Sequence, residues 1–336
     1  MKADINLNDK TWGTPLIVAC SVANRNPEVM EEEDLTGLIQ FIHELVDRGA
    51  DVNAHDGNYG NALQACVNGP LELATYLLEK GCDVNAIGGA SGLSSPLSRA
   101  ALMGETDMVR LFLEHDANPN IGGGKWGFAL HAAANEGHID IAELLIKHGA
   151  NVNLRHKRYG SPLAAAMADP RHFNPALIDF LLENGADVDT QGGRFGCPLT
   201  AAALGGYDDV AAKLVAKGAN VNQKGGRFGY PLQAAAVKGS VKTVSLLLEN
   251  GADINAVGGS YGTALVAAVA NGREAVAQLL IDHGVSKSDA GDWWRNMRIH
   301  KRKRHAELAK RFLDIDKFYF ETFISLQNGL SVASDI

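Results

Sequence analysis

Apolar residues recur along the chain in two alternating kinds of block, one rich in alanine and the next rich in leucine and isoleucine. Alanines at positions 132–134 precede the apolar residues at 144–146, and alanines at 234–236 precede the leucines at 246–248. Glycines follow the blocks, and glycine suits the left-handed conformation that ends a helix. The pattern predicts pairs of short helices, in which the small alanines let neighbouring first helices pack closely. No single pair can bury its own leucine stripe, so stacked neighbours must supply the core.

These pairs are copies of one unit, because a loop that ends in an aromatic residue and a glycine recurs at nearly constant spacing. Trp126 and Tyr159 are 33 residues apart, as are Phe228 and Tyr261. Each unit closes on a motif such as GADVN or GANVN just before the next loop, which indicates stacked repeats. The aromatic position of the loop is occupied by Trp12, Tyr59, Leu93, Trp126, Tyr159, Phe195, Phe228 and Tyr261, with leucine as the exception.

The unit resembles the ankyrin repeat, whose usual text is close to G-x-TPLH-x-AA-x-x-GH-x-x-IV-x-LLL-x-x-GADVN. The match covers about residues 2–284. This resemblance implies an all-α ankyrin-repeat solenoid of about eight helix–turn–helix repeats, with β-hairpin tips and a helical C-terminal cap. The tips GGRFG and GGSYG depart from the usual text and look like those of ankyrin arrays in filamentous fungi, which are often part of long multidomain proteins.

The end of the repeat pattern divides the chain into an ankyrin array at residues 1–284 and a helical C-terminal segment at residues 285–336. The first repeat carries about 14 extra residues near 24–38, which predict a surface loop or an extended helix pair. Residues 3–6 already resemble the motif that closes a repeat. The array therefore either starts with a half-repeat that acts as a cap or is part of a longer multidomain protein. A basic cluster in the C-terminal segment consists of Lys301, Arg302, Lys303 and Arg304. It resembles a nuclear-localisation signal or a patch for an anionic surface, and the alternative is a solvated face of the cap helix.

Composition is that of a soluble protein, with 46 % hydrophobic residues, 21 % charged residues and a formal net charge of -8. The negative charge disfavours a nucleic-acid partner. Since no apolar run approaches roughly 20 residues, no membrane span is expected, and the polar opening contains no signal peptide. Cys20, Cys66, Cys82 and Cys197 form no CxxC pair and have no zinc-binding spacing, so no metal site is expected. We therefore expect a cytoplasmic or nuclear protein without cofactors.

Four consecutive tips place a cation directly before the aromatic position, at Lys125, Arg158, Arg194 and Arg227. If stacked units lie roughly 10 Å apart, these cations form a line along the rim of a groove. Such a line favours an acidic or phosphorylated protein partner through electrostatic steering and ion pairing. The alternative is that the four are ordinary surface cations, repeated by duplication.

Ankyrin arrays bind partners through the tips and the free face of the first helix, and the resemblance carries both positions over to this chain. The groove-facing residues that it predicts to contact a partner are Leu102, Met103, Asn135, Glu136, Leu204, Val237 and Lys238. The tip aromatics have two interpretations, as exposed anchors or as side chains that stack between tips. Their near-identical recurrence favours stacking, because a binding site would vary between units.

The sequence has no Walker or HExxH pattern, and its one match to GxSxG, at residues 258–262, is a copy of the repeated tip, so it does not indicate a catalytic serine. His131, in the TPLH position, is interpreted as a structural histidine. The irregular fifth unit offers His156, Asp169 and His172 as candidate catalytic residues, although no nucleophile accompanies them. The predicted function is a non-catalytic protein–protein interaction scaffold. The alternatives are an enzyme that converts a small molecule in the groove, as in a fungal biosynthetic pathway, and targeting by the basic tail.

Overall fold

The computed structural model describes residues 4–24, 32–55, 57–89, 95–122, 124–287, 308–309 and 311–313. The chain divides into two compact units, Met1–Asp187 and Val188–Ile336. Short helices alternate with glycine-containing loops in both units, in agreement with the all-α fold expected from the sequence.

The first unit contains ten helices within its described residues. The first and second helices of each pair alternate along the chain, and the first helices pack on one another, as α5 and α7 do. The helices are α1 Pro15–Ala23, α2 Glu32–Asp47, α3 Ala62–Ala65, α4 Leu71–Glu79, α5 Pro96–Met103, α6 Thr106–Glu114, α7 Ala129–Glu136, α8 Ile139–Lys147, α9 Pro162–Ala165 and α10 Pro175–Glu183. Part of the insertion predicted near 24–38 lengthens α2 to 16 residues, and the rest falls at 25–31, outside the described residues.

The second unit repeats the same alternation in its described residues. Its first helices α11, α13 and α15 pack in a row, and each second helix packs on the first helix of its own pair. The helices are α11 Pro198–Gly205, α12 Asp208–Ala216, α13 Pro231–Lys238, α14 Val241–Glu249, α15 Ala264–Ala270 and α16 Glu274–Asp282.

Helix ends follow from local chemistry. Thr14, Ser95 and Ser161 precede first helices, and their hydroxyls accept a hydrogen bond from the backbone N–H three residues later. Proline follows each of them at the first helical position, where the missing N–H costs nothing. Gly104 and Gly206 end their helices in the left-handed conformation at φ values of 80° and 77°. The boundaries are therefore set by residues that the sequence shows directly.

Of the C-terminal segment predicted at 285–336, only residues 285–287, 308–309 and 311–313 are described. Leu308, Phe312 and Leu313 are buried, and Arg311 forms an ion pair with Glu274 of α16. The basic cluster at 301–304 lies outside the described residues, so its role stays a prediction.

In place of the predicted β-hairpins, five tips of the described residues are tight turns that each close on one antiparallel bridge, and residues 4–24 and 124–287 contain no extended strand. The bridges join Asp9 to Gly13, His156 to Gly160, Gly192 to Gly196, Gly225 to Gly229 and Gly258 to Gly262. A turn closed by so few hydrogen bonds depends on its neighbours for its position.

Neighbouring tips of the second unit touch through their backbones, and this contact explains the double glycine. The backbone N–H of Arg227 donates to the carbonyl of Arg194, and that of Ser260 donates to the carbonyl of Arg227, both at 3.0 Å. A Cβ added at Gly226 would lie 2.4 Å from the carbonyl carbon of Phe195. Glycine is needed there because any side chain would push the two tips apart.

Asparagine side chains at the closure motifs join each repeat to the next. The amide nitrogen of Asn222 donates to the carbonyl of Gly251 at 2.8 Å, and its oxygen accepts from the N–H of Asp253 at 2.8 Å. Asn120 bonds in the same way to Gly149 and Asn151. The asparagine of GADVN is therefore a connector between repeats, since its amide satisfies a donor and an acceptor at once.

Replacing Asn222 by aspartate should lower the free energy of unfolding by about 1 kcal/mol, and by alanine about 2 kcal/mol, because aspartate keeps the acceptor and loses only the donor. Urea denaturation followed by circular dichroism measures both losses. Equal losses in the two variants would contradict a contribution from the accepted bond, and an unchanged stability of Asn222→Asp would contradict a contribution from the donated bond.

Candidate partner-binding site

The cationic tips of the first unit meet at one aromatic ring. The ammonium nitrogen of Lys125 lies 4.8 Å from the centroid of the Trp126 indole ring, and the guanidinium carbon of Arg158 lies 5.7 Å from the same centroid. Arg158 also lies 5.3 Å from the ring of Tyr159. Both cations are exposed. Cation–π attraction therefore holds two positive charges from successive tips beside one ring.

The second unit brings Arg194 and Arg227 into adjacent tips. The guanidinium carbon of Arg194 lies 4.5 Å from the centroid of the Phe195 ring. The backbone hydrogen bond from the N–H of Arg227 to the carbonyl of Arg194 fixes the spacing of the two tips. Lys224, in the same tip as Arg227, lies 5.8 Å from the ring of Tyr230. Each unit thus carries its own pair of the four predicted cations.

Three exposed cations in these tips were missed by the sequence reasoning, which considered one loop position only. They are Arg155, Lys157 and Lys224. The signal was available in the RHKR text of residues 155–158, which places several positive charges in one tip.

Three of the four predicted tip cations lack a carboxylate partner among the described residues. Lys125, Arg158 and Arg227 take part in no ion pair with any part of the chain that the structure describes. The tip surface therefore presents a positive potential to solvent, although the formal charge of the chain is -8.

The tip aromatics range from buried to exposed, and the choice between exposed anchors and stacking side chains stays a prediction. Tyr159 and Phe195 are 2 % and 4 % exposed, whereas Trp12 in the first tip is 56 % exposed. Trp126 and Phe228 are intermediate. The cations above the rings face solvent.

Groove-facing residues differ in how far they reach solvent. Met103 and Lys238 are exposed. Asn135 is only 8 % exposed, and its amide donates to the Glu136 carboxylate at 2.6 Å. The repeat pattern, which places this residue on the groove face, does not indicate its burial. The remaining predicted positions, Leu102, Glu136, Leu204 and Val237, are half-buried.

The candidate catalytic residues fall into two places. His156 is buried in a tip, with its ring centroid 5.7 Å from that of Tyr159 and 5.8 Å from that of His131, and burial lowers the pKa of His156. Asp169 and His172 lie in the loop after α9. The Arg171 guanidinium binds the Asp169 carboxylate and holds the pKa of that carboxyl well below its usual range.

His172 is engaged in a contact between repeats rather than with His156. Its Nδ1 lies 2.9 Å from the Glu136 carboxylate. The loop after α9 is thereby tied to the end of α7. The amide of Asn174 in the same loop donates to the carbonyl of Gly137 at 3.2 Å, so the loop is held to the preceding repeat by polar contacts.

Buried cysteines do not supply a nucleophile to this surface. Burial raises the pKa of Cys66 and of Cys82 to about 12, so both remain thiols at neutral pH. Within the described ranges, His, Cys, Asp and Glu side chains form no group of three that could hold a metal ion. The helices of the same ranges include none long and apolar enough to cross a membrane.

Comparison with known proteins identifies the repeat. A family model described as ankyrin repeats (3 copies) matches residues 34–122, 88–156, 130–225, 163–257 and 199–291. The chain is 34 % identical over 98 residues to human palmitoyltransferase ZDHHC13, a match that covers 29 % of this chain and 16 % of that protein. It is 35 % identical over 96 residues to the E3 ubiquitin-protein ligase hecd-1 of Caenorhabditis elegans, covering 28 % and 3 % of the two chains.

A third match covers a segment of similar length. The chain is 36 % identical over 86 residues to palmitoyltransferase Hip14 of Drosophila melanogaster, which covers 25 % of this chain and 13 % of that protein. The matched segments span less than a fifth of the length of each of these relatives.

Proposed function

The chain belongs to the ankyrin-repeat family, and from this premise we propose that it is a non-catalytic scaffold that binds a protein partner through its cationic tips. Ankyrin repeats are protein–protein interaction modules. The observation that supports the tips as the contact surface is the exposed, unpaired charge of Lys125, Arg158 and Arg227. Cations that form no ion pair within the chain are available to pair with the acidic groups of a ligand.

The partner proposed for this surface is an acidic or phosphorylated protein segment. Guanidinium groups bind carboxylates and phosphates through two parallel hydrogen bonds, and Arg158, Arg194 and Arg227 each present such a group. The aromatic rings below Arg158 and Arg194 restrict the motion of the two guanidinium groups. Less side-chain entropy is then lost when a partner binds.

The four buried cysteines fit a reducing compartment, and we place the scaffold in the cytoplasm or nucleus on this basis.

Reversing the tip charges should weaken partner binding about tenfold or more, because attraction becomes repulsion at each site. The double variants are Lys125→Glu with Arg158→Glu, and Arg194→Glu with Arg227→Glu. Partners are first captured with the wild-type chain from an extract of the source organism, and the dissociation constant of the purified partner is then measured calorimetrically. Phosphatase treatment of the partner separates a phosphorylated segment from an acidic one.

The matched control is Lys147→Glu with Lys217→Glu, which changes the net charge equally at exposed positions where second helices end. It should leave the dissociation constant within about twofold, since a nonspecific charge effect is screened within a Debye length. The proposal fails if tip and control variants weaken binding to the same extent.

A further inference from the structure

Arg99 of α5 occupies a position that is alanine in six other repeats. The alanine at this position lies three residues after the start of each first helix and packs against the neighbouring repeat, where it is no more than 1 % exposed. The six counterparts are Ala65, Ala132, Ala165, Ala201, Ala234 and Ala267. The third repeat therefore carries a guanidinium at a site that six other repeats fill with a methyl group.

The guanidinium of Arg99 is half-buried and has no acidic partner among the residues that the structure describes. Its Nε is buried and bonded to no acceptor, and no ion pair involves Arg99 within the described ranges. Its electrostatic neighbours are Tyr59 and Cys66 of the preceding repeat. Burial lowers the pKa of Arg99, yet arginine remains protonated at any physiological pH.

A charge in this position lowers the stability of the chain. Removing a guanidinium from water is costly unless hydrogen bonds and an opposite charge replace the lost hydration. The carboxylate of Glu136, which lies at the groove end of α7, is bonded to Asn135 and lies against His172. An anion from outside the chain would complete the coordination that the fold leaves open.

Met103 extends this site along the same helix face. It lies four residues after Arg99, the spacing that places two side chains next to each other on a helix. Met103 is 43 % exposed, which is unusual for a large apolar side chain. A cation and an exposed apolar side chain are therefore adjacent on α5.

We propose that Arg99 and Met103 form a subsite for a partner segment in which an acidic side chain stands next to an aliphatic one. The carboxylate accepts hydrogen bonds from the Arg99 guanidinium, and the aliphatic side chain packs on Met103. This inference rests on the proposed function only in taking the ligand to be a protein segment. It is independent of the tip cations.

The test pans a display library of short random peptides against the full chain and against Arg99→Ala. Alanine fits the same position in six repeats, so the variant keeps the fold. Selected peptides should carry Asp or Glu beside an aliphatic residue. By fluorescence anisotropy they should bind Arg99→Ala at least about tenfold more weakly than the wild type, and Lys147→Glu equally well.

The unfolding midpoint separates a binding residue from a structural one. Because Arg99→Ala removes an uncompensated charge, its midpoint should rise by about 2 to 4 °C. A lower midpoint overturns the proposal, as does a panning experiment that yields no Arg99-dependent acidic peptide. Failure of this proposal is distinguishable from failure of the scaffold proposal, because the scaffold proposal is tested separately, by binding of the natural partner to the tip variants.

Discussion

Replacing Gly226 by alanine is expected to lower the free energy of unfolding by about 3 kcal/mol. Its φ of 63° costs an alanine about 1 to 2 kcal/mol. The new Cβ would also lie 2.4 Å from the carbonyl carbon of Phe195, a backbone atom that can move only if the whole tip moves. Forcing an extra methyl group into a packed contact costs a further 1 to 3 kcal/mol, roughly. Equilibrium unfolding in guanidinium chloride measures the sum.

Gly251→Ala provides the matched control for this prediction. Gly251 has a φ of 83° in the same unit, but a Cβ added there meets nothing within 4 Å. The free energy of unfolding of Gly251→Ala should be about 1 kcal/mol below that of the wild type, from backbone strain alone. If both variants lost the same stability, the close approach of neighbouring tips would not be a determinant of the fold.

The free energy of unfolding is expected to fall as the pH drops from about 6.5 to about 4, because His131 is buried as a neutral imidazole. Burial lowers the pKa of His131 from 6.5 to about 4, and its Nε2 donates to the carbonyl of Gly160 at 2.9 Å. The unfolded chain takes up the proton near pH 6.5, whereas the folded chain resists it until about pH 4. The stability that this histidine contributes is therefore complete above pH 6.5 and lost on acidification, up to about 3 kcal/mol.

His131→Gln isolates this contribution. Gln233 occupies the corresponding position in α13, and its Nε2 donates to the carbonyl of Gly262 at 2.6 Å, so glutamine reproduces the bond without titrating. Urea unfolding of both proteins between about pH 4 and 7 should give a shallower pH dependence for the variant. Parallel curves would show that His131 does not titrate differently in the two states.

The tip cations show which features of this surface the local sequence can predict. Lys125 and Arg158 were recognisable as surface cations from their place before an aromatic residue. That both would lie beside the ring of Trp126 was not, because the contact joins side chains from successive repeats. A spacing of 33 residues states which positions are equivalent, but not which side chains of adjacent copies meet.

The sequence by itself determined the repeating unit, the helix pairs and most of their ends, because periodicity, N-caps and glycines act within a few residues of chain. Tertiary structure decided that Asn135 is buried, that Gly226 lies against the neighbouring tip and must be glycine, and that Arg99 has no counter-ion among the described residues. These features arise between residues about 30 positions apart, where the packing of one repeat on the next sets distance, dielectric environment and available partners.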